Sequence, residues 1–332
     1  MKPTAKGQNL TRLLLLFFLL IISMLLALRY GSSEMGWGQF WRALILDEGY
    51  KTQSVILYSV RLPRLLGGVI AGAGLAVSGV LLQAVTANDL ASPSIIGVNS
   101  GAGVVVMLML YFFPGAVYML APAAFLGALF ATLLILAVAM RMGFYKSSMI
   151  LAGIALTTVL GAIISLLSLL DTDTLASYTY FSVGGLSGVQ LKSLVVPAAL
   201  VITGIFIALI ISHKIGLLRL GDEVAQSLGV RVKSLRFLCL VISSALAASA
   251  VSFAGLIGFV GLIVPHMSRR MLGGSMGVQI AGSALCGSLL VVLCDLVGRV
   301  VLKPTELPVG ILLSLIGAPF FFYLLLKRQR QV

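Results

Sequence analysis

Side chains able to do chemistry are few in this chain and unevenly placed. Only 10% of the 332 residues are charged. Two groups stand out. The stretch RLPRLL puts Arg61 and Arg64 three residues apart, on one face if the segment is helical. The stretch RLGDEVAQSLGVRVKSLR, Arg219 to Arg236, is polar between two apolar runs; five Lys or Arg and two acids fall between 213 and 236. No residue set for covalent catalysis accompanies them. The chain contains no GK[ST] phosphate loop, no GxSxG, no HExxH and no acidic cluster. His213 and His266 stand alone, and Cys239, Cys286 and Cys294 lie inside apolar runs without a CxxC spacing, which reads as core rather than metal ligation. The chemistry on offer is charge recognition, and the chain is not expected to be an enzyme.

The elements that must position these charges are apolar helices. The chain is 60% hydrophobic, above the ~45–50% of soluble domains, and apolar runs near ~20 residues recur along it. This composition predicts an all-α, polytopic membrane helical bundle forming a single transmembrane domain over 1–332. Predicted spans are 12–30, 62–82, 94–112, 117–139, 148–170, 194–212, 236–253, 255–268, 278–297 and 309–326. The apolar run Leu13 to Leu28 exceeds the ~7–15 residues of a signal-peptide core and is read as the first retained span. Phe237 to Val264 is long for one crossing. Both chain ends are basic, so an even count requires two crossings there, with a turn near Ser252 to Gly255. Ten transmembrane helices with both termini cytoplasmic then put fifteen basic and three acidic residues inside. Eight basic and seven acidic residues fall outside, a net of +12 against +1. That is the positive-inside pattern.

On this topology the polar segment 213–236 is cytoplasmic. Asp222 and Glu223 would fall in the first turn of a short helix, where the dipole favours acids; Val224 and Leu228 share a face, and Gly229 suits a C-terminal cap. A helix lying on anionic headgroups would carry Lys and Arg on its polar face. This one carries Asp222, Glu223 and Gln226, which favours a groove on a cytoplasmic protein. Arg61, Arg64 and Arg299 fall on the outer side, which the positive-inside rule disfavours. They either snorkel to lipid phosphates or form an outer patch for an acidic partner. Span centres hold no Asp, Glu, Lys, Arg or His; Asn99, Ser100, Thr157, Thr158, Ser165 and Ser168 are polar but neutral. An ion-driven carrier ordinarily needs ionisable groups there. Small residues four apart at Gly68 and Gly72, and three apart at Gly255, Gly258 and Gly261, predict close helix crossings.

In order, RLPRLLGGVIAGAGLAVSGVLLQ, NDLASPSIIGVNSGAG, GDEVAQSLGV, GFVGLIVPHMSR and ELPVGILLSLIGAPFFFYLL resemble the signatures of the FecCD-type permeases of iron–siderophore and vitamin B12 ABC importers, over nearly the whole chain. The resemblance implies import of ferric siderophore, with haem or a corrinoid as related substrates, across the plasma or inner membrane of a bacterium. It implies a second permease subunit, two cytoplasmic ATPase subunits that carry ATP and Mg, and an extracytoplasmic substrate-binding protein; this chain would bind no cofactor and no nucleic acid. Gly221, Asp222, Glu223, Val224, Ala225, Leu228 and Gly229 would then couple to the ATPase. Arg61, Arg64 and Arg299 would meet the binding protein, and Thr157, Thr158, Ser165, Leu313 and Ser314 would line the pathway. Departures are Asp89 for a usual Pro after Asn88, Phe181 for Trp, Gly185 for Ser and Leu313 for Thr. The competing reading is a secondary active transporter driven by an ion gradient. A neighbouring gene carrying GxxxxGK[ST] separates the two.

Overall fold

The computed structural model describes residues 6–94, 96–141 and 146–329. The tip of the RMGFYK loop and the ends of the chain, with some of their basic residues, lie outside these. The described residues form α1 (Lys6–Arg29), α2 (Trp37–Leu44), α3 (Lys51–Val55), α4 (Leu62–Thr86), α5 (Val98–Phe112), α6 (Leu120–Arg141), α7 (Lys146–Leu170), α8 (Thr172–Val183), α9 (Leu191–Ile210), α10 (Ser212–Leu218), α11 (Asp222–Ser227), α12 (Val232–Ala254), α13 (Val260–Leu272), α14 (Met276–Val301) and α15 (Val309–Gln329). A π-helical stretch, Ile56–Arg61, joins α3 to α4, and no strand occurs among the described residues.

Each of the ten apolar stretches coincides with a helix. Seven described helices are long and apolar enough to cross a membrane; α5 and the apolar part of α15 are shorter, and α13 has 13 residues. The break inside Phe237 to Val264 falls at 255–259, slightly later than the sequence places it.

Helix α4 is the spine. Most of its residues are buried, packed by α9, α12, α13 and α14. Close approach is the reason. A Cβ on Gly72 would sit 2.3 Å from the Gly287 carbonyl oxygen of α14, and Gly79 meets the Gly261 backbone of α13 in the same way. Larger residues would hold these backbones apart, and in lipid such packing replaces the hydrophobic drive between helices. Polar side chains reinforce the crossings. Ser78 on α4 and Ser243 on α12 are hydrogen-bonded through hydroxyls 2.7 Å apart, and Ser288 Oγ donates to Val69 O at 2.8 Å. By contrast α1, α7 and α9 present mostly bare apolar surface.

Candidate functional site

The two charged groups lie at opposite ends of α4. At its C-terminal end sits the polar segment. Gly221 (φ +102°) and Gly229 (φ +80°) bracket α11 in conformations that other residues adopt only with strain. Gly229 N–H donates to Gln226 O and Val230 N–H to Ala225 O, the paired bonds of a Schellman end. Ala225 is fully buried and is therefore an anchor of α11, not a contact residue. Asp222 Oδ1 accepts from Arg236 Nη2 at 2.7 Å, pinning α11 to α12. Glu223 faces solvent. Val224 is 45% and Leu228 57% exposed, beside a bare Leu220. A short helix is thus held rigidly with an apolar edge pointing away from its own protein.

Next to it, Asp89 in the α4–α5 loop pairs with Arg269 of α13 at 2.5 Å, and Arg269 also reaches Gln83 Oε1 at 3.4 Å. Burial pushes the Asp89 carboxyl up, but the Arg269 hydrogen bond and charge outweigh it and hold the group below the usual carboxylate range. Burial, then repulsion from Arg269, lowers Arg219 to about 10, with Asp89 opposing. The pairing was not read from the sequence, where Asp89 stood out only as a replacement for proline.

At the other end of α4 the arginines do something other than the sequence suggested. Arg61, Arg64 and Arg299 are only 3–5% exposed, so they are neither a free outer patch nor snorkelling cations. Arg64 Nε donates to both Asp295 oxygens at 2.9 and 3.1 Å, and its Nη1 donates to Glu306 at 2.5 Å. Arg299 Nε stands 3.0 Å from Asp295 Oδ2, one turn along α14, and its Nη1 donates to Ala27 O. Arg61 donates to Leu28 O, Arg29 O and Ser33 O. The physical reason is the Gly72–Gly287 crossing: helices that close bring Arg64 of α4 onto Asp295 of α14. The network ties α1, α4, α14 and the α14–α15 connection together.

Beside it, three chain segments meet through backbone alone. Gly185 N–H donates to Ala254 O at 2.8 Å, Leu256 N–H to Phe181 O at 3.1 Å and Gly310 N–H to Gly184 O at 3.1 Å. A Cβ on Gly310 would collide with Val183 O. This glycine knot joins the α8 end, the α12–α13 turn and the start of α15; Phe181 and Gly185, two of the departures, are part of it.

The pathway residues scatter. Thr158 and Ser165, seven apart on α7, share its bare face, whereas Thr157 turns partly inward. Ser314 donates to Gly310 O. Leu313 is 1% exposed and packs in the core, so it lines no open surface in this conformation. Among the described residues no group of three His, Cys, Asp or Glu could hold a metal.

Comparisons with known proteins agree with this architecture. The FecCD transport family profile matches residues 19–327. The Fe(3+)-citrate import system permease protein YfmE of Bacillus subtilis (strain 168) is 35% identical over all of both chains. The hemin transport system permease protein HmuU of Yersinia pestis is 34% identical over 96% of this chain and 97% of that one. The cobalamin import system permease protein BtuC of Halobacterium salinarum is 40% identical over 84% and 75%. A solved structure, described as an inward-facing conformation of a metal-chelate type ABC transporter, superposes with a TM-score of 0.84 at 31% identity, covering 96% of this chain and 99% of the other.

Proposed function

Because the chain belongs to the FecCD transport family and is an integral membrane permease of the ABC importer type, we propose that it imports a ferric siderophore across the cell membrane. The relatives named above serve Fe(3+)-citrate, hemin and cobalamin systems, and another serves iron(3+)-hydroxamate. The shared chemistry is a metal held in a bulky organic chelate. Haem and corrinoid remain within that class. The bundle crosses ten times with both termini cytoplasmic. Support for this comes from a helix at each of the ten apolar stretches and from the net of +12 against +1 across the two faces. A second permease subunit covers bare surface such as that of α7, an extracytoplasmic binding protein delivers substrate, and a separate pair of ATPase subunits carries ATP and Mg.

The observation that carries the reading is α11: a helix pinned at Ala225 and Asp222 while Val224 and Leu228 stand bare. Seven residues from Asp222 to Leu228 span ~10 Å, a fit for a groove on the ATPase. Replacing Val224 and Leu228 by Asp leaves a surface helix soluble and folded but removes its apolar contact. In vesicles reconstituted with ATPase and binding protein, the double variant should insert normally, lose ferric-siderophore uptake and lose binding-protein-stimulated ATP hydrolysis. Wild-type uptake and hydrolysis in that variant would exclude α11 as the coupling element.

A further inference from the structure

Helix α2 has no place in the transport reading, yet it is built with care. Its N-terminus is closed by Gly36 N–H donating to Gln39 Oε1 at 2.8 Å. Its C-terminal turn is held by Ser54 Oγ donating to Ala43 O and by Tyr58 Oη donating to Leu44 O at 2.8 Å. Phe40 and Ala43 are buried against Met35 and Leu57. The helix is therefore fixed on the protein, not a loose loop.

What it leaves bare is an ordered face. At ~100° per residue, Trp37, Trp41, Leu44 and Ile45 fall within an arc of about 100°. Trp37 is 50% and Trp41 56% exposed, with Leu44 and Ile45 bare beside them. The buried Phe40 and Ala43 lie on one flank of this arc. On the other flank are Gly38 and Arg42, both exposed, and Arg42 stacks over the Tyr50 ring at 5.3 Å. The helix thus has three faces: one on protein, one apolar and bare, one polar.

Its position says what covers the bare face. α2 follows α1 after the short connection 30–36, and α1 is a peripheral helix, mostly unburied, whose Leu14, Leu15, Phe17, Phe18 and Leu25 are open. At that end Arg29 lies over both the Tyr30 and the Trp37 rings, at 4.8 and 5.2 Å. An arginine capped by Tyr and Trp where an apolar span stops is the composition of a membrane–water boundary. Both tryptophans of the whole chain are on α2, and Trp is the side chain that favours an apolar body with a wet edge.

We propose that α2 is an interfacial helix, laid in the plane of the outer leaflet with Trp37, Trp41, Leu44 and Ile45 in the acyl–headgroup boundary and Arg42 toward the phosphates. The partner is phospholipid, present at all times. A soluble docking protein would leave the same four side chains in water whenever it departed. The helix then fixes the depth of α1 and, through Tyr58 and the π-helical stretch, the depth of Arg61 and Arg64. The proposal rests on the chain being a membrane permease and not on the identity of the imported chelate.

The test uses the chain's own tryptophans. The intact transporter, with any Trp of its other subunits replaced by Phe so that this chain's two are the only reporters, is reconstituted into phosphatidylcholine–phosphatidylglycerol vesicles containing lipids brominated near the headgroup end or near the methyl end of the acyl chain. Emission should be blue-shifted, quenched more by the shallow bromines than by the deep ones, and little affected by external iodide. Trp37→Phe and Trp41→Phe, each leaving one reporter, should show the same depth preference. Red-shifted emission quenched by iodide but not by bromolipid would overturn the proposal. So would emission protected from iodide only after the extracytoplasmic binding protein is added, which would assign the face to protein docking. Uptake measured in the same vesicles reports separately on the transport reading.

Discussion

Replacing Asp295 with Asn should be the most damaging single change to the charge network. Asp295 is 2% exposed and serves two arginines, Arg64 at 2.9 Å and Arg299 at 3.0 Å. Its removal leaves Arg64 with Glu306 as its one carboxylate and leaves Arg299 and Arg61 held by backbone carbonyls and the Ser33 hydroxyl. Breaking one partner of a buried pair costs about 3–5 kcal/mol. Arg64→Met should cost less, at the lower end of that range, because Asp295 keeps Arg299 and the remaining pair is neutral. The double variant should fall short of the sum by roughly 1–3 kcal/mol, since removing Arg64 relieves the cation that Asp295→Asn strands. The assay is unfolding in mixed micelles followed by helix circular dichroism, with the wild type and the three variants forming a double-mutant cycle. Because the network is buried, the losses should persist at ~1 M salt, where exposed pairs are screened. Two results together would refute this reasoning: unchanged stability in Arg64→Met, and weakened, salt-sensitive capture of the binding protein. They would show that the arginines work at an outer surface.

Two further changes probe packing and pH. Gly72→Ala forces α4 and α14 apart by roughly 1 Å, because its Cβ would lie 2.3 Å from Gly287 O. Because that separation also stretches the Ser288–Val69 hydrogen bond, the cost should be about 2–4 kcal/mol, read as lost thermal stability in detergent, while Gly161→Ala, which meets nothing within 4 Å, should lose none. Asp89, whose folded pKa is lowered, contributes stability that is complete above the ordinary carboxylate value of ~3.9 and is lost as pH falls through the lower folded value. The stability of Asp89→Asn should therefore depend less on pH in that acid window than that of the wild type, and an identical pH profile for the two proteins would show the Arg269 pair to be energetically silent.

What was legible in the sequence followed from period and composition. Apolar runs located the helices because lipid forces every backbone group into internal hydrogen bonds. The caps of α11 were legible because Gly221, Asp222 and Gly229 act locally. The burial of the three arginines was not legible, because the partner of Arg64 is remote: Asp295 lies 231 residues away, although Asp295 and Arg299 stand one helical turn apart. The same holds for Asp89 and Arg269, 180 residues apart. Helix α2 was overlooked although WGQFWRAL spaces Trp37, Phe40, Trp41 and Leu44 at three and four residues. It is too short to stand out among runs long enough to span a membrane. Leu313 was assigned to the pathway by family position, whereas its burial is decided by the α15 packing that the glycine knot sets.

One helix connects the two ends of the molecule. α12 runs 23 residues from Val232 to Ala254, about 35 Å at ~1.5 Å per residue. At one end Arg236 holds Asp222 of α11; at the other, Ala254 O accepts from Gly185 N in the glycine knot. Midway, Ser243 and Ser78 bind it to α4. In the coupling role proposed for α11, a push on it reaches α12 through the buried Ala225 anchor, the short 228–231 connection and the Arg236–Asp222 bond, and of these the bond alone can be weakened without disturbing the packing. Arg236→Gln keeps a donor and most of the stem but weakens the ionic tether. ATP hydrolysis should continue while uptake per ATP falls several-fold, and Asp222→Asn should reproduce the defect without adding to it in the double variant. Additive losses from the two changes, or full uptake in either, would mean that motion enters the bundle by another route, with the Asp89–Arg269 contact at the same end of α4 as the remaining candidate.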